Sequence, residues 1–243
     1  MAVLGLLVGG LANQLATDLP ARRALTLPHC PYCGRPRPWW LWLSLPAYLV
    51  GRARCSACGA PIRIVRPLVE LGLAVVYAYM WIVFGPSIRF VLYALYMAIL
   101  GLVLVTDIER RLILNVVMVP AIVVALIAGF FTPGMCRWCA LLGGAIGFGF
   151  FFLAAVVGNA LFGSGALGGG DVKLAAFVGL VTGFPLAIVA MLLAILAGGV
   201  VSLFLVVTRL RGLRDPIPYG PFLVAGAVVT LLWGPQVSAW LIR

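Results

Sequence analysis

Ile99-Leu100-Gly101-Leu102-Val103-Leu104-Val105-Thr106-Asp107 closes an apolar run that begins at Ile88, and its reading decides the fold. Crossing a hydrocarbon core about 30 Å thick takes about 20 consecutive apolar residues, and this run is of that length while delivering a carboxylate to one of its ends. Comparable runs recur on both sides of it, from Val3 to Ile242. They place spans at 2–17, 67–86, 88–106, 115–132, 139–162, 172–184, 186–208 and 219–242. The composition agrees: 64% of the residues are hydrophobic and 9% charged, with a mean hydropathy of +1.18, whereas soluble domains carry about 25% charged residues. The expected fold is an all-α polytopic membrane protein with about eight transmembrane helices. Met1-Ala2-Val3-Leu4 carries no positive residue and the first arginine is Arg22, so the first segment is expected to be a retained helix rather than a cleaved signal. No internal repeat is visible.

A net charge of +11 would suit a nucleic-acid partner, but the Lys and Arg residues fall in short loops between apolar runs. The positive-inside rule accounts for this distribution. With the N-terminus outside, every one of the 17 Lys and Arg residues except Arg89, Arg137 and Arg243 lies on the cytoplasmic side. Membrane lipids, not nucleic acid, are the expected surroundings. The span 172–184 is the shortest, and only Gly183-Phe184-Pro185 separates it from its successor. A re-entrant hairpin there would leave the rest of the topology unchanged.

One polar stretch interrupts the pattern, which divides the chain into a first helix at 1–17, a polar module at 18–66 and a membrane domain at 67–243. The module contains Cys30-Pro31-Tyr32-Cys33 and Cys55-Ser56-Ala57-Cys58, each followed by glycine, at Gly34 and Gly59. Two such pairs with 21 residues between them match a zinc ribbon whose four thiolates close the coordination shell. Zinc would then supply the folding free energy of a segment with little apolar core. Two redox dithiols or disulfides are the alternative, disfavoured in a reducing cytoplasm. His29 is either a spare ligand or a solvated loop residue. Trp39, Trp40 and Trp42 pack against lipid headgroups or against the ribbon. A third pair, Cys136 and Cys139, falls outside the membrane, as an exoplasmic disulfide or as two free thiols.

Only six acidic residues occur: Asp18, Glu70, Asp107, Glu109, Asp171 and Asp215. Near bilayer depth each is costly and therefore a candidate site. Asp18 and Asp215 sit in Arg-bearing loops and read as solvated or ion-paired, and Glu109 as paired with Arg110 and Arg111. Glu70 either takes part in chemistry or accepts hydrogen bonds at the membrane boundary. Asp107 and Asp171 differ: the topology brings both to the cytoplasmic mouth of a span, Asp171 after the run Gly163-Ser164-Gly165-Ala166-Leu167-Gly168-Gly169-Gly170. Two neighbouring carboxylates cannot both ionise, so they share a proton, one serving as base toward water and the other polarising a carbonyl. The glycines either admit an extended substrate to that pair or serve helix packing alone.

These segments together resemble bacterial type IV prepilin peptidases, members of the GxGD class of aspartic proteases. Gly168-Gly169-Gly170-Asp171-Val172-Lys173-Leu174 is similar to the family's GxGDxKL segment, and Asp107-Ile108-Glu109-Arg110-Arg111 with Ile113-Leu114-Asn115 to its other aspartate motif. Cys58-Gly59-Ala60-Pro61-Ile62 running into Arg66-Pro67-Leu68-Val69-Glu70 resembles its cysteine domain, and Ile217-Pro218-Tyr219-Gly220-Pro221-Phe222 the start of its last helix. The resemblance implies that Asp107 and Asp171 are catalytic, with Gly168, Gly170 and Lys173 in support. It implies cleavage of the basic leader of prepilins or pseudopilins at the cytoplasmic face of the bacterial inner membrane. Members with the cysteine domain also methylate the new N-terminus with S-adenosylmethionine. Two departures stand out: Leu114 occupies a position where the family commonly has Pro, and Asp18 one where it usually has Arg.

Two readings from other classes compete. Intramembrane aspartates and glycine-broken helices also occur in proton-coupled transporters, although acidic groups near the midplane would be expected there. A noncatalytic scaffold that recruits partners through its zinc ribbon would leave both aspartate motifs unexplained.

Overall fold

A computed structural model describes residues 1–21, 26–38, 41–162, 168–210, 212 and 218–241. Among these every regular element is a helix, with two isolated β-bridges and no strand. The apolar runs become helices α1 (Ala2–Asp18), α3 (Val65–Phe84), α4 (Ile88–Arg110), α5 (Asn115–Gly129), α6 (Arg137–Phe162), α7 (Gly169–Thr182), α8 (Leu186–Val207) and α9 (Gly220–Leu241), and a short α2 (Ser44–Leu49) lies in the polar module. Five stretches are long and apolar enough to cross a membrane: Ala2–Ala21, Val65–Phe84, Ile88–Arg110, Trp138–Leu161 and Leu186–Val207. Asn115–Gly129 and Gly220–Gly234 are shorter apolar helices. Val75, Ile82, Val91, Leu153, Leu203 and Val207 are exposed on the outer faces, while Asn13, Asp18, Glu70 and Asp107 are buried. That inversion of the water-soluble pattern fits a multi-pass membrane protein.

The helix ends correct two expectations. The helix expected at 88–106 continues to Arg110, so Asp107 is a helical residue inside the last turns of α4. The expected span 172–184 is a helix of 14 residues, about 21 Å long at 1.5 Å per residue, and every residue from Leu174 to Thr182 is buried. Leu114, where proline was expected, is the N-cap of α5 with φ −75°. That is the torsion a proline ring would impose, and the helix still begins at Asn115.

By its contacts the chain divides into two units, Met1–Glu109 and Arg110–Arg243. In the first, α1 crosses α3 closely because glycines face it. A Cβ at Gly5 would stand 2.4 Å from Leu73 O, and one at Gly9 would stand 2.6 Å from Glu70 Cα. Farther along, Tyr77 Oη donates to Ala94 O of α4 at 2.6 Å. In the second unit α7 is the central helix, in contact with α5, α6, α8 and α9. Small residues bring α6 and α7 together, in the manner of small-residue membrane interfaces: a Cβ on Gly179 would lie 2.1 Å from Gly143 O, and one on Gly147 would lie 2.4 Å from Ala175 O.

Candidate active site

Asp107 is 5% exposed, and the turn that carries it is held from two sides. Thr106 returns its hydroxyl to Leu102 O and Val103 O, both at 3.1 Å. Two residues beyond Asp107, Glu109 accepts from Arg66 Nε and Nη2, each at 2.9 Å, and Arg63 Nη1 donates to Glu109 O at 3.0 Å. Glu109 is therefore paired with Arg66 of α3, not with Arg110 and Arg111 as its neighbours suggested. The planar guanidinium suits a two-pronged grip that local sequence order could not reveal.

Asp171 lies in the first turn of α7, where a negative charge is favoured by the unpaired N–H groups of the helix start. Gly168 is the N-cap, and Asp171 N donates to Gly168 O at 3.0 Å. The three glycines before Asp171 are not equivalent. A Cβ on Gly170 would stand 2.8 Å from Ile113 Cβ, one on Gly168 would stand 3.2 Å from Asp171 Oδ2, and one on Gly169 would meet open space. Lys173 Nζ donates to Asn115 Oδ1 at 2.7 Å, joining the starts of α7 and α5. Tyr219 lies within electrostatic reach of Asp171. Residues 163–167, the rest of the glycine run, lie outside the described residues, as do Ile217 and Asp215.

Glu70 was left open between chemistry and structure, and the structure gives it a structural task. It is fully buried and accepts from Asn13 Nδ2 at 2.9 Å, Ser44 N at 2.8 Å and Leu45 N at 2.7 Å. One carboxylate thus caps α2 and ties it to α1 and α3. Asn13, Arg66 and Tyr219 are the residues whose roles sequence reasoning missed. The signal for Asn13 was an amide, beside that of Gln14, within an apolar helix, where such a group must find a partner.

The polar module is built from two copies of one knuckle, although no repeat was visible in the sequence. Cys30 N donates to Arg35 O and Gly34 N to Cys30 O, and 25 residues later Cys55 N donates to Ala60 O and Gly59 N to Cys55 O. Gly34 and Gly59 have φ of 71° and 70°, values that other residues rarely adopt. All four sulfurs lie within 4.8 Å of one another, and two of the pairs that run between knuckles, Cys30 to Cys58 and Cys33 to Cys55, are each 3.7 Å apart. Zn–S bonds of about 2.3 Å in a tetrahedron place sulfurs about 3.8 Å apart. The donor set therefore fits a metal ion. The backbone N–H groups of Cys58 and Ala57 hold the Cys55 thiol down to about 6, while at Cys58 the lowering by the Ala60 N–H is outweighed by desolvation and the other three sulfurs, which push that thiol up to about 11, so the four sulfurs do not ionise alike.

Around the module, two expectations change. Asp18 is not solvated: it is 1% exposed and accepts from Thr26 N and Gln14 Nε2, both at 3.0 Å. His29 is not among the metal-ligating residues; its Nδ1 lies 3.0 Å from Thr26 Oγ1 and its Nε2 4.0 Å from Asp18 Oδ1. Trp42 packs over Gly10 of α1, while Trp39 and Trp40 lie outside the described residues. Of the two states open for Cys136 and Cys139, the structure has the disulfide.

A multi-pass helical membrane protein with a four-thiol module and carboxylates at helix ends is the class that fold and site define. Compared with known proteins, residues 3–84 match the bacterial peptidase A24 N-terminal domain and residues 94–203 the type IV leader peptidase family. The chain belongs to the type IV leader peptidase family. It is 28% identical to a prepilin leader peptidase/N-methyltransferase of Bacillus subtilis (strain 168), over 99% of this chain and 96% of the relative. A protein of the same name from Pseudomonas putida is 28% identical over 98% of this chain and 91% of its own length, and one from Myxococcus xanthus is 31% identical over 86% and 63%. No solved structure matches the chain. Between the peptidase and transporter readings, family membership decides for the peptidase.

Proposed function

We propose that the protein is an aspartic endopeptidase of the bacterial inner membrane that removes the leader from type IV prepilins or pseudopilins at the cytoplasmic face. The observation that carries this reading is that the leader-peptidase match, residues 94–203, contains both Asp107 and Asp171. In the mechanism, the two carboxylates share one proton. The ionised one takes a proton from water as the oxygen attacks the scissile carbonyl, and the protonated one donates toward the carbonyl oxygen. Lys173, held by Asn115, and the glycine turn set the start of α7. The glycines also leave room for substrate backbone beside Asp171.

Eight helices, α1 and α3 to α9, traverse the membrane in this reading, with the N-terminus outside and the Arg-bearing loops in the cytoplasm. The short α7 needs no lipid-matched length, because protein surrounds it. Residues 1–17 form the first helix, 18–66 the cysteine domain and 67–243 the peptidase domain. Cys30, Cys33, Cys55 and Cys58 would hold zinc, which fixes the fold of the cysteine domain and leaves no position open for catalysis.

The relatives' shared name carries a second activity, methylation of the new N-terminus, with S-adenosylmethionine as the donor. The described lining of the cleft in the cysteine module includes Arg35, Arg37, Arg52 and Arg54, cations that suit a carboxylate or phosphate rather than a sulfonium. Incubating the purified protein in detergent with a prepilin and following the product by mass spectrometry tests both activities. Leader loss is the expected result, and an added methyl mass on the product would report the second. An intact prepilin would overturn the proposal.

A further inference from the structure

Beside the thiol cluster, and lined in part by Cys55, the cleft just named is about 560 Å³ in volume and has no role in the reading above. Arg35 and Arg37 line it from the first knuckle and Arg52 and Arg54 from the second. The sequence has no acidic residue between Asp18 and Glu70, and both of these are buried and bonded elsewhere. A zinc ion with four thiolates carries a formal charge of about −2, which offsets two of the four guanidinium groups and leaves the cleft cationic. A basic leader would be repelled from it.

The depth of the cleft points to its occupant. Ala47 and Gly51, from α2 and the turn after it, form part of its wall. The start of α2 is pinned to Glu70 through Ser44 N and Leu45 N, and Glu70 lies about 7.5 Å into α3 from its first residue at 1.5 Å per residue. The cleft is thus attached at the level where α3 enters its apolar stretch. Immediately before Gly51, Leu49 is 80% and Val50 68% exposed, an apolar pair open to the surroundings beside a cationic cleft. Cations flanked by exposed apolar side chains are the combination that binds anionic lipid surfaces.

We propose that this cleft holds the phosphate of an anionic phospholipid headgroup, with Leu49 and Val50 entering the headgroup–acyl boundary, so that the cysteine module rests on the membrane surface. Guanidinium groups suit the phosphate through paired hydrogen bonds.

Native mass spectrometry of the full-length protein in mild detergent tests this, with phosphatidylglycerol, phosphatidylcholine and inorganic phosphate as probes. Phosphatidylglycerol is expected to be retained over phosphatidylcholine. The double variant Arg52→Gln, Arg54→Gln should lose that retention by about thirtyfold, roughly fivefold for each cation near an anionic surface. Leu49→Ser with Val50→Ser should also weaken retention. Zinc content reports whether each variant is folded, and if the first pair loses zinc, Arg35→Gln with Arg37→Gln takes its place. Equal retention of the two lipids, or undiminished phosphatidylglycerol in a zinc-replete arginine variant, would overturn the proposal. Inorganic phosphate that displaces the lipid and binds the Leu49→Ser, Val50→Ser protein unchanged would also overturn it, assigning the cleft to a soluble anion.

Discussion

Arg66 at the start of α3 holds Glu109 at the end of α4 through two hydrogen bonds of 2.9 Å, and its Nη2 also donates to Thr17 Oγ1 of α1 at 3.1 Å. One guanidinium therefore joins three helices of the first unit two residues from Asp107. The side chains are 13% and 7% exposed, so the pair is largely out of water, and removing one partner strands the other.

Glu109→Gln is accordingly expected to destabilise the protein by about 3–5 kcal/mol, the usual cost of breaking a buried ion pair. Cleavage should fall through displacement of the α4 terminus. Arg66→Met combined with Glu109→Met should recover much of the thermal stability, since no charge is then stranded. Thermal unfolding in detergent reads both, and an unshifted midpoint in Glu109→Gln would contradict the role given to this pair.

The glycines before Asp171 should separate under substitution. Gly169→Ala meets nothing and should keep near-parental cleavage. Gly170→Ala drives a methyl to 2.8 Å from Ile113 Cβ, an overpacking that costs about 1–3 kcal/mol, and should lose most activity. Gly179→Ala, aimed at Gly143 O from 2.1 Å, should lower the yield of folded protein. Equal activities of the Gly169 and Gly170 variants would show that this packing is not what the motif requires.

Metal analysis of purified protein should find about one zinc per chain, with less in Cys30→Ser and Cys58→Ser, because four sulfurs close the shell. Chelation should make residues 18–66 protease-sensitive as their folding free energy is withdrawn. Full occupancy in both serine variants would exclude this ligand set.

Cys136 and Cys139, bonded to one another, should react with a membrane-impermeant thiol reagent on intact cells only after mild reduction. Labelling without reductant would contradict the disulfide. Labelling of Cys30 or Cys58 in place of this pair would reverse the proposed orientation.

Much of this was legible in the sequence because lipid imposes simple rules. The apolar runs gave the helices, with α1, α3, α5 and α8 within a few residues of expectation, and the Cys spacing anticipated the cluster of four sulfurs. What stayed hidden depended on contacts between distant residues. Arg66 with Glu109 lies 43 residues apart and Asn13 with Glu70 lies 57 apart, so neighbouring arginines looked like the natural partners of Glu109. The knuckle repeat was hidden because backbone hydrogen bonds carry it, while in the sequence only the Cys and Gly positions and the proline at Pro36 and Pro61 recur. Asp18 looked like a solvated or ion-paired loop charge because sequence does not show that Thr26 folds back over it.

The central claim is that Asp107 and Asp171 act as one unit, and leader cleavage by the two asparagine variants tests it most directly. Asp107→Asn and Asp171→Asn preserve size while removing the titrating group. Each alone should reduce cleavage of a prepilin by roughly a thousandfold or more, and the double variant should be little worse than either, as for residues that act together. Gly169→Ala and Asp215→Asn, prepared alongside, should cleave near the parental rate. If either Asp107→Asn or Asp171→Asn removes the leader at a rate close to the parent's, the paired-carboxylate mechanism is wrong.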